Sequence, residues 1–287
     1  MAYTNYHSHC YFCDGKEAPE VYLEEAIRLG MPAYGISSHA PLPYELSWPM
    51  DEADRALYVE QLQQLKERYA GRLEVYRGLE VDFIPEVAGP RRMKEAYALD
   101  YTVGSVHFVD FYADGFPWEI DGAHQGFLQG LEEIFGGEIE AVIQRYYSLI
   151  RQMVQDDPPD IVGHLDKIKI QREAGRLFDE QSAWYQTEMA HTLDVIAEAG
   201  LIVEVNTRGM CKKLTTEPYP SYWVLEQMRE RNIPIMLNSD SHHPREITSH
   251  FSEVTERLLD IGYEQQRILY REGWQDVALT KDGVLIR

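Results

Sequence analysis

Basic residues are scarce in this chain. Only 27 Lys and Arg stand against 48 Asp and Glu over 287 residues, a formal charge of −21 at neutral pH. A protein that grips a phosphodiester backbone needs a basic face to displace counterions, so nucleic acid is excluded as the expected partner. The acid excess is first a solubilising surface, and it also suits a substrate that carries an amine. Cysteine is scarce too: three residues cannot build a disulfide framework and fit a reducing cytosol. No run of eighteen apolar residues offers a membrane span. The opening MAYTNYHSHC has neither the basic nor the apolar part of a secretory signal, which predicts a cytoplasmic protein. With no repeat, no low-complexity tract and 44% hydrophobic residues, the chain can bury one large core or two small ones.

What is present is a recurring unit: a short apolar run, a polar or acidic residue at its end, then an amphipathic helix. Strands are expected near 3–7, 33–37, 73–80, 101–107, 160–164, 201–206 and 233–238. Helices are expected over 19–29, from a cap at Asp51 to about 69, and over 138–154 and 180–199. Seven strands alternating with helices imply a parallel sheet, most economically hidden as a closed or nearly closed barrel. His7 and His9, 37–39, Glu80 and Asp82, His107, His164, Asn206, and Asp240 with His242 all fall at or just past strand C-termini. That is the rim where α/β barrels gather their chemistry.

The residue types at that rim are metal ligands. His7 and His9 are spaced by two, which on a strand puts both imidazoles on one side. Alone such a pair is more often ordinary. Glu80 ends an apolar strand, where a buried carboxylate must be paired with a cation or bind metal; a buried Arg is the structural alternative. His107 in GSVHF and His164 in DIVGHLD repeat the pattern, and Asp240 with His242 supplies a second pair spaced by two. A mixed His and carboxylate set suits zinc, manganese or iron better than magnesium. The CxxC of Cys10 and Cys13 has no second pair to complete a structural zinc site, since only Cys211 remains. Nor does it open a helix, as a redox dithiol would. Those two cysteines are therefore bystanders, or at most supports of the ligands beside them.

The ordered motifs HxH, GLEVDF, GSVH, GHLD and SDSHHP resemble the polymerase-and-histidinol-phosphatase (PHP) superfamily from about residue 3 to 261. The phrases YGISSHAP, GLEVDFIP, GSVHF and EPYPS are most similar to its histidinol-phosphate phosphatases. The resemblance implies an α/β fold, a distorted (β/α)7 TIM-like barrel with the metal site at the C-terminal rim, as a single PHP domain over 1–287. It implies two or three divalent ions. His7, His9, Glu80 and Asp240 would hold the first. Glu80 would bridge to a second, completed by His107 and His164. His39 and His242 would hold a third, with Asp14 as its remaining ligand; Asp14 or His39 would alternatively act as the proton donor. Many relatives carry a histidine one position later, where this chain has Gly15.

The implied reaction is hydrolysis of L-histidinol phosphate to L-histidinol and phosphate, in histidine biosynthesis. Two alternatives remain: another small phosphate ester, such as a nucleotide or sugar phosphate, and a non-catalytic metal-binding or regulatory protein. Phosphate needs protein cations. Lys169 falls where the resembling phosphatases carry one, and Arg208 in NTRGMCKK is expected to replace a second arginine whose usual place is taken by Cys211, with Lys212 as the other choice. The glycine- and aromatic-rich stretch 108–137 is expected to be a lid-like insertion whose Glu119 and Asp121 meet the amine or imidazole of the substrate.

Overall fold

The computed structural model describes residues 2–271 and 273–286, the side chains of 173–175 excepted. Its centre is a parallel sheet. The strands are β1 (Ala33–Ile36), β2 (Glu74–Asp82), β3 (Tyr101–Ser105) and, after an antiparallel hairpin of β4 (Phe108–Phe111) with β5 (Pro117–Glu119), β6 (Ile161–Val162), β7 (Ile202–Asn206) and β8 (Ile235–Asn238). Their order in space is β1-β2-β3-β6-β7-β8, every neighbouring pair parallel. β1, β3, β7 and β8 are buried at every residue, as strands covered on both faces must be.

In an open sheet β1 and β8 would be bare edges. Here the N-terminal segment runs between them. Asn5 bridges Tyr34 and Ser8 bridges Ser241, both in the parallel sense. The N–H groups of Gly35 and Ser37 donate to the carbonyls of Asn5 and Ser8, and that of His9 to Ser241, at 2.8–2.9 Å. Side chains complete the seam where backbone pairing lapses: Asn238 Oδ1 accepts from the Tyr6 N–H at 2.8 Å, and Asn5 Nδ2 donates to Ser239 Oγ at 2.7 Å. This segment is the seventh, irregular stave, and the architecture is the distorted (β/α)7 TIM-like barrel that the resemblance implies.

The four predicted helices form as Pro19–Arg28, Arg55–Tyr69, Ile139–Asp156 and Ala183–Ala199. Asp51 does cap: its side chain accepts from the Ala53 N–H and opens one 3₁₀ turn ahead of the second helix. Six more helices among the described residues, Pro90–Tyr97, His124–Phe135, Lys169–Gly175, Arg208–Cys211, Tyr222–Glu230 and Phe251–Ile261, were not expected. The stretch 108–137 is ordered as the β4–β5 hairpin and the helix His124–Phe135, anchored by Trp118, which is buried against Phe127. Among the described residues no helix is long and apolar enough to cross a membrane.

A second sheet was also unexpected. Strands β9 (Gln265–Tyr270), β10 (Gly273–Thr280) and β11 (Gly283–Leu285) pair antiparallel. They pack Ile268, Leu269, Val277 and Val284 against Tyr6, Tyr76, Tyr101, Ile161, Ile202 and Met236, residues at or near the N-terminal ends of the barrel strands. That end is plugged, so chemistry is left to the other. Inside the barrel the Tyr101 ring crosses beneath Gly35 and Gly78, and its hydroxyl donates to the Tyr6 carbonyl at 2.6 Å. A Cβ at Gly78 would stand 2.4 Å from the ring's Cζ, so only glycine fits.

Gly78→Ala is therefore expected to destabilise the fold by about 1–3 kcal/mol, the usual cost of overpacking a filled core. Denaturant unfolding checks this, with a neutral effect meaning that the ring can move aside.

Candidate metal centre

Glu80 sits at the middle of the rim, 1% exposed, where β2 turns its side chain into the barrel mouth. Its two oxygens face two sets of imidazoles. Oε2 lies 3.1 Å from His7 Nε2, 3.4 Å from His9 Nε2 and 3.1 Å from His39 Nδ1. Oε1 lies 2.9 Å from His164 Nε2 and 3.7 Å from His107 Nε2, and accepts from Ser105 Oγ at 2.6 Å. The sequence alternative of a buried arginine partner is thus replaced by five histidines. Asp240, just beyond β8, places Oδ1 3.1 Å from His9 Nε2 and 3.8 Å from His7 Nε2. His242 completes the ring outward, with Nε2 3.1 Å from Asp14 Oδ2 and its face stacked 4.1 Å from His9.

Most of the rings are aimed by a partner on the nitrogen that faces away from Glu80. His7 Nδ1 is 2.9 Å from Glu204, His107 Nδ1 is 2.9 Å from Asp82, and His242 Nδ1 is 3.0 Å from the Asp240 carbonyl. The partner of His9 Nδ1 is the sulfur of Cys13, at 3.5 Å. Cys10 instead meets Ser38 Oγ at 3.2 Å. Both cysteines are free thiols, and burial pushes Cys13 up to about 12 and Cys10 up to about 11. Both stay protonated at neutral pH, and their contacts are supporting ones, as the sequence allowed.

Electrostatics divide the site. Burial opposes the charged form of every group here, yet the histidines hold Glu80 and Asp240 well below the usual carboxylate range. Burial, with His242 and His39 nearby, pushes His9 well down, and His39 falls to about 4 for the same dominant reason. His7 moves the other way: its desolvation is outweighed by Glu204, Glu80 and Asp240. His107, carried by Asp82 against its own burial, rises to about 9.

A divalent cation fits these residues. His7 Nε2, His9 Nε2, His39 Nδ1, Glu80 Oε2 and Asp14 Oδ1 are all buried and none makes a hydrogen bond, although they crowd together. Unsatisfied buried polar atoms are costly, and five at one rim are what bound cations would satisfy. Donor atoms fall within 4.8 Å of one another in the sets His7–His9–Asp240, Glu80–His107–His164 and His9–Asp14–His39–His242. A fourth set, His39–Asp82–His107, includes an Asp82 oxygen already engaged with His107. Every metal residue expected from the sequence is thus brought to one rim. Gly15 explains why the outer carboxylate is at position 14: a Cβ on residue 15 would lie 2.3 Å from the His9 backbone, so no side chain fits there. Of the four other histidines, three have partners elsewhere: His124 with Gln171, His243 capping Arg245 and His250 with Glu253.

Beside the centre lies a cavity of about 310 Å³. His39, His107, Asp240 and His242 form its metal-facing wall, with Asp14, and Arg208, Lys212, Lys167, Tyr219, Trp48, Glu119 and Asp121 line the rest. Lys169 does not reach it, which corrects the expectation from the sequence. Its ammonium is buried in a network with Asp166, Ser221 Oγ and the Pro218 carbonyl, at 2.7–3.1 Å. Lys167 faces the cavity instead, its Nζ 2.9 Å from Asp121 and 3.1 Å from His107 Nε2. Arg208 is there, held by Glu246 at 2.8 Å. The sequence reading missed Glu204, although a carboxylate inside the apolar run IVEVN carries the same signal as Glu80. It also missed Trp48, for which no pattern pointed.

The PHP domain family matches residues 5–208. A protein named "Probable histidinol-phosphatase" from Deinococcus radiodurans is 30% identical over 250 residues, covering 85% of this chain and 87% of that one. A histidinol-phosphatase from Bacillus subtilis is 28% identical over 268 residues, covering 88% of this chain and 97% of the relative. In structure, the chain superposes over its full length, with a TM-score of 0.66 and 16% identity, on the whole of a histidinol phosphate phosphatase from Lactococcus lactis complexed with zinc, L-histidinol and phosphate.

Glu80→Gln is expected to keep the fold and to lose at least one bound ion per chain after reconstitution with zinc or manganese. An amide brings no charge to either set of imidazoles. Elemental analysis beside circular dichroism checks this, and full metal content would make Glu80 a structural residue.

Proposed function

Since this chain belongs to the PHP domain family, we propose that it is a metal-dependent phosphatase hydrolysing L-histidinol phosphate to L-histidinol and phosphate, a step of histidine biosynthesis. The observation that carries this reading is the cavity, where a wall of metal-ligating side chains faces two protein cations, Lys167 and Arg208. A phosphate monoester is a dianion whose uncatalysed hydrolysis is among the slowest reactions known, so catalysis must come from charge and placement.

Two or three divalent ions are proposed, of zinc, iron or manganese, because the donors mix imidazole nitrogen with carboxylate oxygen. His7, His9, Glu80 and Asp240 would hold one, Glu80, His107 and His164 a second, and Asp14, His39 and His242 a third. When bound, such ions make hydroxide available at neutral pH and offset charge on the phosphoryl group.

The protein's own groups do the rest. Lys167 and Arg208 bind phosphoryl oxygens, each kept in place by a carboxylate, Asp121 and Glu246. Glu246 Oε2 also accepts the His242 N–H at 3.2 Å, which ties the Arg208 position to the metal wall. The leaving alkoxide departs with a proton or against a cation, and Asp14 and His39 are the cavity groups assigned to that end. The hydrogen bond with His242 leads the contacts that outweigh burial and hold the Asp14 carboxyl well below the usual carboxylate range. An ionised carboxylate is a ligand rather than a proton donor, so Asp14 takes the former role. Glu204 and Asp82 position His7 and His107.

The test is kcat/KM of metal-reconstituted protein over a panel of L-histidinol phosphate, sugar phosphates and nucleotides. L-Histidinol phosphate is expected to be favoured at least tenfold, with activity lost on chelation. A flat panel would leave a phosphatase of another substrate, and no turnover at all would leave a metal-binding protein.

Lys167→Met is expected to lower kcat/KM at least tenfold for every phosphate ester alike. Lys169→Met is expected instead to cost about 3–5 kcal/mol of stability, because it strands the buried Asp166 carboxylate. The reverse pattern in thermal unfolding and kinetics would restore Lys169 as the phosphate residue.

A further inference from the structure

The cavity wall away from the metal ligands carries two carboxylates, and they are not equivalent. Asp121 is matched by Lys167 at 2.9 Å, and that ammonium holds it, against burial, down to about 2. Glu119 has no such partner: among the described residues no cation lies within ion-pair distance. Its Oε1 accepts from the indole Nε1 of Trp48 at 2.6 Å, a neutral donor, so its negative charge is left unbalanced at the cavity wall.

Trp48 is itself fixed. Its ring stands edge-on to His39 and His107, with centroids 4.5 and 5.7 Å away, and stacks on Phe108 at 5.9 Å. Glu119 is fixed from the other side. The β4–β5 register sets it opposite Phe108, and the Ile120 N–H donates to the His107 carbonyl at 2.9 Å. A carboxylate and an indole are thereby placed at one side of a small cavity, the carboxylate paired across the hairpin from the residue that follows His107. An unbalanced carboxylate beside an aromatic ring is the chemistry that receives an organic ammonium.

We propose that Glu119 and Trp48 form the subsite for the cationic amine of the substrate and set the preference for amine-bearing phosphate monoesters. This rests on the reading above, that the centre hydrolyses L-histidinol phosphate. The metal wall, Lys167 and Arg208 grip the phosphoryl group that all esters share, so discrimination must come from elsewhere. Glu119 supplies it by charge, and Trp48 by holding that charge in place with its N–H while its ring closes the site. Asp121, already neutralised, positions Lys167 and does not read the amine.

The test compares kcat/KM for L-histidinol phosphate with that for its des-amino analogue, 3-(imidazol-4-yl)propyl phosphate, in the parent, Glu119→Gln and Trp48→Phe. Glutamine keeps an oxygen for the indole and removes only charge; phenylalanine keeps a ring and removes the N–H. Glu119→Gln is expected to lower the ratio of the two constants at least tenfold, and Trp48→Phe to lower it about threefold, both at the parent's metal content per chain. Equal losses on both substrates would overturn the subsite, assigning Glu119 to the phosphate or metal instead. A Glu119→Gln variant that keeps the parent ratio would overturn it as well. Failure of the underlying reading looks different: a parent that cleaves L-histidinol phosphate no faster than neutral esters. In that case phosphoethanolamine against ethyl phosphate is the deciding pair, and a Glu119→Gln ratio equal to the parent's ends the proposal.

Discussion

A carboxylate that is 1% exposed must be compensated, and the compensation of Glu80 organises the rim. Removing one charge from water costs several kcal/mol even after relaxation, and five imidazoles with a serine hydroxyl are assembled around it. Those imidazoles come from the N-terminal segment and from the ends of β1, β3 and β6. The surroundings of Glu80 therefore draw on the N-terminal segment and on neighbouring strands at once, and Asp240 joins them only when the barrel closes. Closure in turn relies on a segment too irregular for a full backbone ladder, so Asn5 and Asn238 take over the pairing with their side chains. The same requirement recurs one layer out. Glu204, also fully buried, accepts from the His164 N–H and from Asn206 and Asn238 while it aims His7.

Much of this was legible in the sequence because the barrel repeats one rule: polar residues that follow an apolar run stand at the rim. His7, His9, Glu80, His107, His164 and Asp240 obey it, so strand order alone gathers them. The lysine that faces the cavity was not legible by the same means. Lys167 and Lys169 flank a tight turn, where the Lys167 N–H donates to the His164 carbonyl, and a helix begins at Lys169. Across such a change of backbone state neither period 2 nor period 3.6 applies, and the two lysines end on opposite sides of the chain. Trp48 lies outside any helix or strand and has no period at all. The C-terminal sheet was missed because its strands bury only scattered residues, Ile268 and Leu269 in one and Val277 and Leu279 in the next, too few to stand out as runs.

The hairpin β4–β5 joins two tasks that could have been separate. Its first strand begins directly after His107 at the candidate metal centre, and its last residue is Glu119, paired across to Phe108. Antiparallel register is quantised in steps of one residue, and a single slip would turn Glu119 to the other face. The proposed amine subsite and the candidate metal centre therefore share one set of backbone hydrogen bonds. The tip, 112–116, is exposed at Ala113 through Phe116 and stands clear of both.

The seam that closes the barrel also orders events in time. Asn5 and Ser239, bonded across it, are 234 positions apart. Nearly the whole polypeptide must leave the ribosome before the first stave can meet the last. Until then His7 and His9 have no Asp240 opposite them, and the barrel mouth lacks one of its sides. Contacts of such separation are formed late, because the entropy of closing so large a loop must be met before any of them is rewarded. A chain cut soon after β6 carries Glu80, His107 and His164 but lacks Asp240 and His242. Order of synthesis is thus written into the site itself: the full constellation of donors assembles only once the chain has been made through His242.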